Sequence, residues 1–239
     1  MKIQNKRKRV LLVMSSYDDM GLSGKQSGSW FHEVAAPYYI LTEAGHEVVF
    51  ASPKGGEAPI DLLSMKVPFT TEYTERFFND PVAMFSVQRT RVLQNIDYNS
   101  FDSVFFPGGY GLIWDLISDQ HTIKLIKDFY ESGRPIAIVC HAAAMLRDVK
   151  LSNGKYLVEG LNLTGFKNSE ADEIELLNHL LFSSEDELKG RGANYKSVSN
   201  WEPNVIVDGA LLTGQSPASA APLAEALSEV LKKEELVTV

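Results

Sequence analysis

Four short apolar runs, Val10 to Met14, Glu47 to Ala51, Ser103 to Phe106 and Pro135 to Val139, constrain this chain more than any other feature. Their apolar residues follow one another without the polar alternation of a strand that has one wet face, so both faces must be covered. Helices on either side of a parallel sheet do this. The segments between the runs have helical spacing. Phe31, Val34, Tyr38 and Leu41 share one face, with Ser29 as the expected N-cap, Gly45 as the stop and a kink expected at Pro37, which lacks the N–H donor. Asp80-Pro81 opens a second helix, expected to turn Val82, Phe85, Val92 and Ile96 inward. Further helices are expected from about His121 to Glu131 with Gly133 behind it, directly after Cys140, from Ser184 with Glu187 as its capping partner to Gly190 or Gly192, and from Pro217 to Lys232. The alternation predicts one α/β domain over residues 1–239, a doubly wound, mostly parallel sheet with helices on both faces, and Glu57 to Asn79 as an aromatic-bearing insertion.

With 239 residues the chain can bury a sizeable core, and its net charge of −8 disfavours nucleic acid as a partner, because phosphate backbones repel it. No apolar run approaches the roughly 20 residues of a membrane span. The basic run Lys6 to Arg9 is followed by only Val10 to Met14 and then by Ser15, Ser16, Tyr17, Asp18 and Asp19, too short for a secretory signal of roughly 7–15 apolar residues. A cytoplasmic location is expected. The single cysteine excludes an intramolecular disulfide and a Cys-rich zinc site, and His32, His46 and His121 lack ligand spacing, so no metal is expected.

The most informative stretch runs from Arg134 to Leu146. Strand residues lead straight into Cys140-His141 and then into Ala142, Ala143 and Ala144, small enough for a helix to start at once. Such an elbow presents a nucleophile at the carboxyl edge of a sheet. The turn Phe106-Pro107-Gly108-Gly109-Tyr110-Gly111 follows another strand, and its Gly109 N–H, with that of His141, is placed to hold a developing oxyanion. Its spacing is not that of a phosphate-binding loop, so a nucleotide cofactor is not expected. Glu33 lies in the first turn of the helix after the first strand, facing the same edge.

These segments, with Ala51-Ser52-Pro53-Lys54-Gly55-Gly56, Leu163-Thr164-Gly165-Phe166 and Leu212 to Ser219, give the chain a clear resemblance to the ThiJ/PfpI superfamily, in the branch that holds glutathione-independent glyoxalases and heat-shock holding chaperones. The resemblance implies a flavodoxin-like sheet, a nucleophilic Cys140 with Glu33 beside it, His141 as a second proton carrier, no cofactor and commonly a homodimer. It implies a small 2-oxoaldehyde such as methylglyoxal as substrate, taken through a Cys140 hemithioacetal to D-lactate. Tyr110 and Ala142 depart from the branch, which carries His and Gly there. The acid that orients His141 is expected at Glu170 or Asp172, although the closest register falls on Ala171. Trp30 is a candidate wall of the pocket. The competing readings are an amidase or peptidase on the same fold, and a holding chaperone or thiol redox sensor. A glutaminase is disfavoured, since the last histidine, His179, sits among Leu177, Leu180 and Leu181.

Overall fold

The computed structural model describes residues 7–20, 26–174 and 181–237; Lys6, Leu177, His179 and Leu180 lie outside them. The chain runs β1 (Arg9–Val13), α1 (Phe31–Glu43), β2 (Glu47–Ser52), α2 (Glu72–Phe78), α3 (Pro81–Gln88), β3 (Arg91–Val92), β4 (Ser103–Phe106), α4 (Gln120–Glu131), β5 (Ile136–Val139), β6 (Asn162–Leu163), α5 (Asn168–Glu173), α6 (Ser184–Gly190), β7 (Asn194–Tyr195), β8 (Val205–Asp208), β9 (Leu211–Gly214) and α7 (Ala220–Val237). Seven strands form one sheet in the order β3-β2-β1-β4-β5-β9-β8, parallel throughout except where β8 pairs antiparallel with β9. The doubly wound, flavodoxin-like expectation holds.

The apolar runs work as their lack of alternation requires. Val10, Leu12, Phe105 and Ala137 face a core shared with α1 and α7, while Leu11, Val13, Val104 and Ile136 face a second core shared with Leu125, Ile126 and Phe129 of α4. Period-2 side chains are thus divided between two apolar layers rather than between core and water. Registers Leu12↔Phe105, Phe106↔Ile138 and Val139↔Gly214 bring the carboxyl ends of the central strands to one edge.

Several local expectations are corrected. Trp30, not Ser29, is the N-cap of α1. Ser29 is held in extended backbone, donating to the Pro59 carbonyl and accepting from the Asp61 N–H, so it cannot fold back as a cap. Pro37 does lie inside this helix, as its sequence position requires. In α3, Ala83 and Val87 are the buried pair, whereas Val82 and Phe85 point outward, at 69% and 55% exposed. This helix ends at Gln88, so Val92 falls in β3 and Ile96 beyond it. After Cys140 the chain forms a 3-10 helix to Asp148 rather than an α-helix. Ser183, not Ser184, caps α6, accepting from the Asp186 N–H. A short 3-10 turn, Pro217–Ser219, precedes α7.

Candidate active site

Strand β5 delivers Cys140 to the carboxyl edge of the sheet, and the chain reverses there. Cys140 has φ 61°, a left-handed conformation that a β-carbon disfavours and that surrounding structure must impose. The residue is 3% exposed and lies in the wall of a cavity of about 840 Å³. The main-chain N–H of His141 favours charge on its sulfur, and His141 Nδ1 lies 3.3 Å from Sγ.

Glu33 approaches the same sulfur from the first turn of α1. It is fully buried, and its Oε2 accepts the Gly108 N–H at 2.6 Å. Gly108 is the only residue type that fits between acid and thiol: a β-carbon there would stand 2.7 Å from Glu33 Oε2, 2.8 Å from Cys140 Cβ and 2.9 Å from the Val139 carbonyl. Among the described residues Oε1 has no partner in hydrogen-bonding geometry, so the Glu33–Cys140 contact is a close electrostatic coupling rather than a well-aligned bond. Burial lifts the Glu33 carboxyl from 4.5 to about 8 against the opposing pull of Gly108 and the thiol, and it is therefore mostly protonated at neutral pH. Burial and then negative charge on Glu33 push the Cys140 thiol up, while the His141 N–H pulls it down. With Glu33 protonated the second push is absent, and the two groups titrate as a pair. His141 is lowered to about 3 by burial, so its ring is neutral. Its Nε2 is buried with no partner among the described residues, and Tyr110 and Phe166 pack on the ring at 4.7 and 4.1 Å between ring centroids.

Among the other sequence candidates, Gly109, Tyr110 and Trp30 all line the cavity. Gly109, at φ 113°, is wedged against Gly28, where a β-carbon would lie 2.2 Å from the carbonyl oxygen. Glu170 does not reach His141. Its Oε1 accepts from the Trp201 N–H at 2.8 Å and Gln215 Nε2 at 3.0 Å, and its Oε2 turns back to the Lys167 N–H at 3.2 Å, closing the start of α5. Asp172 is exposed, and Ala171 faces the core. The expectation of a Cys–His–acid chain ending at Glu170 or Asp172 is thus corrected: a third-position acid in a short helix satisfies its own helix start first. Sequence reasoning missed Phe69, Trp201 and Ser216, which also line the cavity. Ser216 lies within the Leu212 to Ser219 segment, but only the sheet register, which sets Val139 beside Gly214, brings it to the cavity that Cys140 lines. Among the described residues no group of three or more His, Cys, Asp or Glu is placed to hold a metal ion, and no helix is long and apolar enough to cross a membrane.

This arrangement of elbow, glycine turn and helix start spans residues 28–230, which match the model of the DJ-1/PfpI family. The chain belongs to the DJ-1/PfpI family. Within DJ-1/PfpI proteins it is 29% identical over 236 residues to the glutathione-independent glyoxalase HSP31 of Saccharomyces cerevisiae, covering 94% of this chain and 98% of the relative. It is 25% identical to glyoxalase 3 of Candida albicans, covering 91% and 95%. Among solved structures of this fold, Rapid Encystment Protein 24 KDa of Francisella tularensis matches with a TM-score of 0.89 and 32% identity, over 94% of this chain and 99% of that one. The glyoxalase III structure from Candida albicans matches with a TM-score of 0.82 at 24% identity, over 92% and 95%, a likeness of fold.

Proposed function

We propose that this chain is a glutathione-independent glyoxalase, converting methylglyoxal and water to D-lactate at Cys140. The observation that carries the reading is the buried Glu33–Cys140 pair held across Gly108, an acid and a nucleophile whose titrations are coupled at the inner wall of the cavity. Relatives named as glyoxalases over nearly the whole chain support the substrate class.

In this reading Sγ adds to the aldehyde carbon, and the thiol proton passes by way of Glu33 to the aldehyde oxygen, giving a hemithioacetal. The ionised form of Glu33, about a tenth of the population at pH 7 for a group titrating near 8, takes the hydrogen of that carbon as a proton. The electron pair moves to the ketone oxygen, where the Gly109 N–H holds the enediolate together with the His141 N–H, which the sulfur gives up once it is bonded to carbon and no longer charged. A proton shifts from the first oxygen to the second, Glu33 returns its own proton to the second carbon, and a thioester remains. Water cleaves it, releasing the hydroxy acid and the thiol. One carbon is oxidised and its neighbour reduced, so no external oxidant is required. Neutral His141 orients the sulfur through Nδ1 instead of carrying charge.

A triad hydrolase needs an acid on the histidine, and the commitment of Glu170 to Trp201 and Gln215 favours the proton-pair chemistry over an amidase or peptidase. Enzymatic assay of D-lactate tests the reading: Cys140→Ala abolishes product and Glu33→Gln lowers kcat at least about 100-fold, as removal of a general base does. In the parent, kcat/KM rises with pH and levels off above about 8, where Glu33 is ionised. Unchanged turnover in either variant overturns the assignment.

A further inference from the structure

The cavity above Cys140 is far larger than methylglyoxal needs. Its volume of about 840 Å³ falls in the range of roughly 300–1,000 Å³ that encloses drug-sized ligands. Two sets of aromatic rings line it. Trp30 and Phe69 meet edge to face at 5.2 Å. A separate run of rings starts at His141 beside the sulfur and passes to Phe166, 4.1 Å from it, and to Trp201, 5.8 Å from Phe166.

Trp201 shows that this run of rings is built rather than incidental. It is 39% exposed, so burial does not fix it, and its backbone is left-handed at φ 66°. Hydrogen bonds hold it instead. Its N–H donates to Glu170 at 2.8 Å, its indole Nε1 donates to Glu173 Oε2 at 2.5 Å, and Gln215 braces Glu170 at 3.0 Å. Glu170, the acid absent from His141, is thus spent on the main chain of Trp201, while Glu173 fixes its ring. Charge is sparse by contrast. The described lining has Asp61 and Lys66 as its charged residues, with no arginine, and Asp61 Oδ1 is occupied by the Leu63 N–H at 2.8 Å. Such a lining favours a neutral, apolar occupant and offers no bidentate clamp for a carboxylate or phosphate.

We infer that the preferred substrates are 2-oxoaldehydes bearing an aromatic group on the ketone carbon, with phenylglyoxal as the probe, the ring lying against the Trp30–Phe69 and Phe166–Trp201 pairs. The inference rests on the glyoxalase reading above and deepens it. The chemistry is unchanged: phenylglyoxal and water give mandelate, the aldehyde carbon oxidised and the ketone carbon reduced.

The test compares kcat/KM for phenylglyoxal and methylglyoxal with the intact protein. The expected preference is at least about tenfold for phenylglyoxal, the least that added apolar contact in a fitted pocket gives. In Trp201→Ala that ratio falls about tenfold, and in Trp201→Phe, which keeps a ring, most of it is retained. Far-UV circular dichroism confirms that each variant is folded, and the wild-type ratio stands as a test should one fail to fold. Turnover of methylglyoxal with no preference for phenylglyoxal, or a ratio unmoved by Trp201→Ala, overturns this inference and leaves the glyoxalase reading intact. Turnover of neither aldehyde overturns both.

Discussion

Glu33 is a carboxyl that folding keeps protonated. Its ordinary value of 4.5 is raised to about 8, so between those pH values an unfolded chain releases a proton that the folded chain retains. Folded-state stability therefore declines as pH rises through this window, by up to about 5 kcal/mol at 1.36 kcal/mol per pH unit. Glu33→Gln removes that penalty: urea denaturation should find it more stable than the parent by several kcal/mol at pH 9 and little different at pH 4. The sign reverses for His141. Lowered from 6.5 to about 3, it withholds a proton that the unfolded chain binds, so its contribution is lost as pH falls through that interval. Gly108→Ala sets a methyl 2.7 Å from Glu33 Oε2 and should cut D-lactate formation at least about 100-fold while the circular dichroism spectrum stays native. Cys140 and Glu33 were legible because an elbow after an apolar run and a helix start after the first strand face one edge. The fate of Glu170 was not, since a carboxylate near a helix start can cap locally or reach across the fold, and spacing along the chain is the same for both.

At the scale of elements, legibility followed length and composition. The long apolar strands and the helices with caps stood out. The two-residue strands β3, β6 and β7 carry no period at all, and β8 is a half-exposed edge. Helix α3 misled because both of its faces are apolar: Ala83 and Val87 turn to the core, leaving the larger Val82 and Phe85 outside, and only the neighbouring elements decide which pair is buried. Its start is legible in Asp80-Pro81. Asp80 Oδ1 accepts the Val82 and Ala83 N–H groups at 2.9 and 3.2 Å, and Oδ2 accepts the Tyr39 hydroxyl at 3.0 Å. Asp80→Ala should lower stability by about 1–2 kcal/mol in urea, a capping effect, with turnover unaltered because this helix start lies outside the cavity lining.

Across the whole molecule, the order of strands decides where chemistry can occur. The chain winds from β1 through β2 to β3 on one side, then returns to place β4, β5 and β9 on the other, so a crevice opens between the ends of β1 and β4. Glu33 enters after β1, Gly108 to Tyr110 after β4, Cys140 after β5 and Ser216 after β9, each on its own connection. Stability resides in the two apolar layers behind that edge. Leu227 of α7, fully buried in the layer shared with α1, should cost about 2–5 kcal/mol as Leu227→Ala, read as a lower thermal midpoint, with KM for the aldehyde unchanged.

The hydrogen that Gly108 carries in place of a side chain has one last effect. Acid and sulfur are spaced by the thickness of a peptide unit, not by the torsions of two mobile side chains. In the proposed reaction their distance is settled once, when the sheet assembles, and the entropy of bringing them together is spent on folding before any substrate arrives.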